Sequence, residues 1–175
     1  MRPNFCVLIY GASGSGKTTL ACSLTRAIRE KTGLQPVRLD GRDLRSLVWS
    51  DVDFSVPGRV EHARRVAGLA QLLQEQGHTV IVSLVAPLER IRHLFRAFTK
   101  GLIEVWLDCP HHVCRARDTS GVYALAALGE VVLLPTIDLA FETPSKYDLR
   151  LPTDELSVEE EVQVVMRLLV AKGVM

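Results

Sequence analysis

The chain has 175 residues, 47% of them hydrophobic, which is enough to bury a core without disulfides or metals and too apolar for a disordered chain. A formal net charge of +1 argues against a dedicated nucleic-acid binder, and no membrane association is expected: the opening apolar run, Phe5–Tyr10, is too short for a signal segment or a membrane span. The four cysteines, Cys6, Cys22, Cys109 and Cys114, show no disulfide framework, so a reducing, cytoplasmic setting is expected.

Phe5–Tyr10 is continuously apolar, as a strand buried on both faces reads. Gly11–Gly16 is a glycine- and serine-rich loop. Lys17–Lys31 follows with Leu20, Leu24, Ala27 and Ile28 at helical spacing, and Gly33 stops it. Pro36–Leu39 reads as a second strand, expected beside the first and ending on Asp40. Asp43–Trp49 reads as a short helix and Asp51–Gly58 as a loop. Arg59–Gln76 is a long helix ended by Gly77. His78–Val85 is a strand, Leu88–Thr99 a helix, Leu102–Leu107 a strand, and a further helix begins at His111. Residues 118–145 read as an irregular lid. Tyr147–Leu151 is a fifth strand candidate. Ser157–Lys172 is the final helix, with Ser157 and Glu160 as a capping box. Strands alternating with helices give a three-layer α/β/α fold, a parallel sheet of about five strands in one domain spanning 1–175. Ligands of such sheets sit beyond the carboxyl ends of the strands, so the loops after Tyr10, Leu39, Val85 and Leu107 should share one edge.

Gly11-Ala12-Ser13-Gly14-Ser15-Gly16-Lys17-Thr18 fits the phosphate-loop pattern G-x-x-x-x-G-K-[ST], with a strand before it and a helix after it. Glycines let consecutive backbone N–H groups turn inward around phosphate oxygens, and the helix start adds its positive dipole end. Residues 11–18 with Thr19 are therefore the candidate ATP site. Lys17 is placed to bridge the β- and γ-phosphates and Thr18 to hold Mg²⁺ through its hydroxyl.

A switch GTPase would need N-K-x-D, but the only asparagine is Asn4. A motor-type ATPase would carry an acid at the end of the Thr79–Val85 strand, which instead runs through Ser83 to Ala86-Pro87. The acid that does end a strand is Asp40. It is either the group that faces the acceptor hydroxyl and the metal or a helix N-cap for residues 41–47. Cys109, His111, His112 and Cys114 are zinc-type donors in a spacing unlike paired C-x₂-C, and adjacent histidines on a helix diverge by about 100°; no zinc is expected.

Six blocks in order resemble the adenylylsulfate kinase family. They are the phosphate loop; Leu39-Asp-Gly-Arg-Asp-Leu-Arg45 against L-D-G-D-N-[LIV]-R; and Asp53-Phe-Ser55 with Gly58-Arg-Val-Glu-His-Ala-Arg-Arg65 against G-F-S-x-x-D-R-x-E-N-I-R-R. The others are Val82–Pro87 with Arg90 against S-x-[IV]-S-P-x-R; Ile103–Asp108 with Cys114, Arg117, Asp118, Gly121 and Tyr123; and Ile137-Asp138, Phe141–Pro144 and Asp148-Leu149. The resemblance implies transfer of the γ-phosphoryl of ATP to the 3′-hydroxyl of adenosine 5′-phosphosulfate (APS), with Mg²⁺. It also implies that Arg45 and Arg59 grip the phosphosulfate, Phe54 stacks on the acceptor adenine, and Arg117 lies against the ATP adenine. Thr143 joins the ATP side, and Arg42, His62, Val85, Ala86 and Leu134 the acceptor side. A homodimer is the assembly it suggests.

The departures cluster on the acceptor side. The family's second acid of D-G-D is Arg42, leaving Asp40 or Asp43 as the catalytic acid. The Asp before the helix arginine is Gly58, the Asn after it is His62, the Ser before proline is Ala86, and the F-T-G stretch is Leu134-Pro135-Thr136. Two other readings follow: a related kinase of another activated small metabolite, such as a nucleoside diphosphate derivative, or a non-catalytic nucleotide-binding domain.

Overall fold

The computed structural model describes residues 4–118, 121–128 and 139–175. Five strands, β1 (Cys6–Gly11), β2 (Val37–Asp40), β3 (Val80–Leu84), β4 (Leu102–Asp108) and β5 (Leu149–Pro152), form one sheet in the order β2-β3-β1-β4-β5. Every pairing is parallel. All the strands therefore end on one edge, as their alternation with helices predicts.

β1 is buried along its whole length because both faces are covered. Val7 and Ile9 pack with Leu20, Leu24 and Ile28 of α1 (Lys17–Thr32) and Val165 and Leu169 of α7 (Val158–Ala171). Cys6, Leu8 and Tyr10 point the other way, to Ala63, Val66 and Ala70 of α3 (Val56–Glu75) and Ile91 and Phe95 of α4 (Glu89–Phe98). This is the two-sided burial that an unbroken apolar strand requires. No helix among the described residues is long and apolar enough to cross a membrane.

The second strand, expected beside the first, lies at the sheet edge with β3 between them. Composition explains the order: β3 is Val-Ile-Val and buried, whereas β2 carries half-buried Val37 and exposed Arg38, which suit an edge. Element boundaries also differ from expectation, β3 and β5 each starting two residues late. α2 (Gly41–Leu47) starts two residues early, because Asp40 caps it. α3 starts at Val56 because Ser55 caps it and Pro57 falls in its first turn, where proline lacks no needed hydrogen bond. The 118–145 stretch, expected irregular, contains helix α6 (Val122–Ala127), following α5 (His111–Ala116).

Arg92 is fully buried on α4. Its guanidinium donates to the Ala86 carbonyl at 2.9 Å, the Glu142 carbonyl at 3.1 Å and the Glu89 carboxylate at 2.9 Å. It also lies over the rings of Tyr10 and Phe141. One cation thus ties the end of β1, the β3–α4 loop and the 139–144 segment together. Ala86 sits there at φ 43°, a left-handed backbone that side chains disfavour, so its anchored carbonyl matters. Arg92→Met would leave two carbonyls unpaired at about 1–3 kcal/mol each; a fall in Tm of roughly 5–15 °C in a calorimetric scan is the expected result.

Candidate active site

The phosphate loop leaves the carboxyl end of β1. Gly14 and Gly16 adopt φ 81° and 97°, and Gly16 caps α1 without a side-chain hydrogen bond, leaving the first-turn amides to an external anion. A Cβ on Gly14 would overlap the Cys114 carbonyl of α5, so glycine is required there by contact as well as by φ. Lys17 donates to the Ala12 carbonyl at 2.6 Å, curling back over the loop. Desolvation pulls its pKa down to about 8, against the attraction of Cys114 and Asp40 and with repulsion from Arg42. A phosphate beside it would restore the full positive charge.

Asp40 lies opposite Ser83 in the β2–β3 register. Its Oδ1 accepts from the Arg42 backbone N–H at 2.9 Å. Its Oδ2 accepts from the hydroxyls of Thr18 and Ser83, both at 2.7 Å. Burial opposes ionisation of the carboxyl, but the Thr18 and Ser83 hydroxyls and the backbone N–H groups of Arg42 and Asp43 hold its pKa below the ordinary value. Asp40 is the N-cap of α2, and the same carboxylate turns its second oxygen to the phosphate-loop hydroxyl of Thr18. Asp43 contributes its backbone N–H, and its side chain is exposed. Ser83 was legible as a hydroxyl inside a buried apolar strand, a pattern that calls for a partner.

On the acceptor side, Phe54 is 51% exposed and stands against two guanidinium groups, Arg45 at 4.5 Å and Arg59 at 5.4 Å from the ring centroid. Arg45 also donates to the carbonyls of Val52 and Asp53 at 2.5 and 2.7 Å, fixing the loop that carries Phe54. Burial lowers the Arg59 pKa to about 10, helped by Arg45, and burial lowers that of Arg45. Two crowded cations beside an exposed ring have the charge and shape to hold an anion attached to a flat base. Arg64 and Arg65 instead pair with Glu61 and Asp51.

A Cβ on Gly58 would overlap the Asp53 carboxylate, which accepts from the Ser55 backbone N–H and hydroxyl. Where the family pattern has Gly before Phe-Ser and Asp before the arginine, this chain exchanges the two residue types. The carboxylate and the backbone carbonyl of Asp53 together occupy the space into which a side chain at 58 would project. His62 is 2% exposed, packs edge-on against Trp49, and makes a 3.0 Å hydrogen bond between Nε2 and the Gly41 carbonyl. Burial, aided by Arg45, lowers its pKa to about 4, so it is neutral near pH 7, with Nε2 the protonated nitrogen and Nδ1 a buried acceptor without a partner among the described residues. Val85 and Ala86 follow β3 on the same edge, and Arg42 is exposed at the start of α2 within electrostatic reach of Lys17. Leu134 lies outside the described residues.

On the donor side, Arg117 ends α5 and lines a cleft of about 250 Å³ with Ser15, Gly16 and Thr19. Tyr123 of α6, 3% exposed, donates its hydroxyl to the Ser13 carbonyl at 2.8 Å, seating α6 on the phosphate loop. Thr143 is exposed; its neighbour Glu142 is tied to Pro87 and Arg92, which places this segment by the head of α4. Cys114 is buried with its thiol on the Cys109 carbonyl, and His111 packs on Tyr123.

Residues 3–152 match the family model for adenylylsulphate kinase. The chain belongs to the adenylylsulphate kinase family. It is 38% identical over 168 residues to an adenylyl-sulfate kinase of Paraburkholderia xenovorans, covering 95% of this chain and 93% of that one. It is 33% identical over 172 residues to a probable adenylyl-sulfate kinase of Bacillus subtilis, covering 97% and 86%. The structure of a Mycobacterium tuberculosis APS kinase in complex with AMPPNP and APS superposes with a TM-score of 0.91 at 36% identity, covering 97% of this chain and 99% of that one. A Sinorhizobium meliloti gluconokinase, at 18% identity and TM-score 0.66, shares the fold.

The His62 environment gives a pH signature. Its folded pKa of about 4 lies below the ordinary 6.5, so the folded state binds fewer protons and stability falls as pH drops from 6.5 towards 4. The contribution is at most ~1.4 kcal/mol per pH unit. His62→Asn is expected to flatten the Tm–pH curve in that window, as followed by thermal melts.

Proposed function

We propose that this protein is an ATP-dependent kinase that transfers the γ-phosphoryl group of ATP to the 3′-hydroxyl of adenosine 5′-phosphosulfate, giving ADP and the 3′-phosphorylated product. The observation that carries the acceptor is the exposed Phe54 ring flanked by Arg45 and Arg59, on the same sheet edge as the phosphate loop. A stacking ring suits a nucleobase, and guanidinium forks suit a phosphosulfate. The family relatives named for this activity support the reading.

The reaction is an in-line displacement, in which the acceptor oxygen forms a bond to the γ-phosphorus as the bond to the β,γ-bridging oxygen breaks. Catalysis of this kind is positioning and charge neutralisation. The phosphate-loop amides cradle the β-phosphate, and the Lys17 ammonium meets the oxygens that gain charge. Ionised Asp40 is placed to take a hydrogen bond from the acceptor hydroxyl and orient it. Arg42, close to Lys17 where the family pattern has an acid, adds positive charge beside the transferring group. Magnesium fits the site: the Thr18 hydroxyl and the Asp40 carboxylate, 2.7 Å apart, are the hard oxygen donors it prefers. Bound with ATP, the ion would neutralise charge on the β- and γ-oxygens.

The same substitution, Arg42, supports a second reading: a kinase of the same chemistry whose acceptor is another nucleotide-linked anion. An ADP-release assay over APS and a panel of such acceptors tests the two. Turnover of APS above all others is expected, and turnover of another compound with none of APS would overturn the first choice. Lys17→Ala and Asp40→Asn should each lower kcat by roughly 10²–10³-fold. Ser83→Ala removes one of the two hydroxyls on Asp40 Oδ2 and should cost about tenfold. Near-normal rates in Asp40→Asn would reassign the acid.

A further inference from the structure

We propose that Tyr123 is a positioning residue for the donor nucleotide: its hydroxyl holds the Ser13–Gly14 peptide of the phosphate loop in the one orientation that frees the Gly14 N–H for a phosphate. This deepens the kinase reading and rests on it only for the identity of the nucleotide.

A glycine-rich loop binds phosphate through N–H groups, so its affinity depends on which way each peptide plane faces. In a trans peptide the C=O and the following N–H share a plane and point in opposite directions. Fixing one fixes the other. The Ser13 carbonyl is fixed, because the Tyr123 hydroxyl donates to it at 2.8 Å. The Gly14 N–H of the same peptide is taken up by no backbone carbonyl among the described residues. The carbonyl before it, that of Ala12, is already committed to the Ser15 N–H at 3.2 Å and to Lys17 at 2.6 Å.

The loop alone does little to select this orientation. A flip of the Ser13–Gly14 peptide rotates ψ of Ser13 and φ of Gly14 together. It would carry Gly14 from its present φ of 81° into the negative region, and glycine accepts both. The flipped peptide would turn the negative end of a carbonyl dipole toward the anion. The selection therefore comes from outside the loop, and Tyr123 supplies it. Its ring is 3% exposed, packs in a small cluster with Ala12 and Cys114, and meets His111 edge-on at 5.4 Å. Its backbone N–H donates to the Asp118 carboxylate at 2.9 Å. A ring held on these sides delivers its hydroxyl to one point.

Hydroxyl and phosphate reinforce each other. An anion on the Gly14 N–H polarises the peptide and makes the Ser13 carbonyl a stronger acceptor. Both favour the same orientation, so each is held more tightly when the other is in place. Without the hydroxyl, only the fraction of molecules with the peptide correctly turned can bind, and apparent affinity falls by that fraction.

The test is calorimetric titration with Mg·ADP, without acceptor, of the unaltered protein and of Tyr123→Phe, which keeps the ring and removes one oxygen. Kd should rise about five- to tenfold in the variant. With APS as acceptor, KM for ATP should rise by a similar factor while kcat stays within about twofold, since the loop once loaded is the same. A hydroxyl that served only the fold would lower Tm and leave Kd unchanged, and that result would overturn the proposal. Nucleotide-free crystals of Tyr123→Phe should show the Ser13–Gly14 peptide flipped or in both orientations; a single unflipped peptide would count equally against it. Should the variant not fold, a crystal of the unaltered protein with Mg·ADP decides. There the Gly14 N–H should reach a phosphate oxygen with the Tyr123–Ser13 bond intact, and a complex lacking either contact refutes the role. Because the titration contains no acceptor, failure of APS turnover would sink the kinase reading without touching this result.

Discussion

The acceptor half of the site hangs from one carboxylate. Asp40 has two oxygens and three kinds of donor: one oxygen caps α2, and the other is shared by a phosphate-loop hydroxyl and a β3 hydroxyl. An ionised carboxylate accepts all of these at once, whereas a protonated one would give up acceptor capacity. This fixes the rotation of the side chain and keeps it charged. It also sets where α2 begins. α2 carries Arg45, Arg45 holds the carbonyls of Val52 and Asp53, and that loop presents Phe54. The distance from the phosphate loop to the acceptor ring is therefore set by a short chain of charge-assisted hydrogen bonds, which are about twice as strong as neutral ones.

Near-neutral overall charge conceals a sorted distribution. Arg64, Arg65, Arg96 and Arg150 are matched by Glu61, Asp51, Glu104 and Asp108. Arg42, Arg45, Arg59 and Arg117 stand nearer the carboxyl edge of the sheet, as does Lys17. Net charge describes how the molecule behaves at long range, and local desolvated cations decide what it holds.

The sequence made the donor half legible because its features are local. An unbroken apolar strand, a glycine loop and a helix must be contiguous to work, and the Ser157–Glu160 capping box is likewise four residues long. What was not legible depends on groups far apart in the chain. The order of β2 and β3 turns on relative burial, and Arg92 reads as one of several helix cations until α4 is packed against Tyr10 and Phe141. Glu161 is one of three successive acids, and only the structure shows which of them faces inward. Pro57 and Gly58 read as the end of a loop, but a cap at Ser55 makes them the start of α3. Helix α6 has little intrinsic pattern and takes its anchor from Tyr123 on the phosphate loop.

The exchange of Asp53 and Gly58 constrains how sequences of this kind can change. A side chain at 58 would press on the backbone carbonyl of Asp53 as well as on its carboxylate, so glycine at 58 answers to the course of the 53–58 loop and not to the carboxylate alone. A side chain at 58 therefore requires the 53–58 loop to take another path, whatever residue stands at 53, and with that loop would move the ring of Phe54.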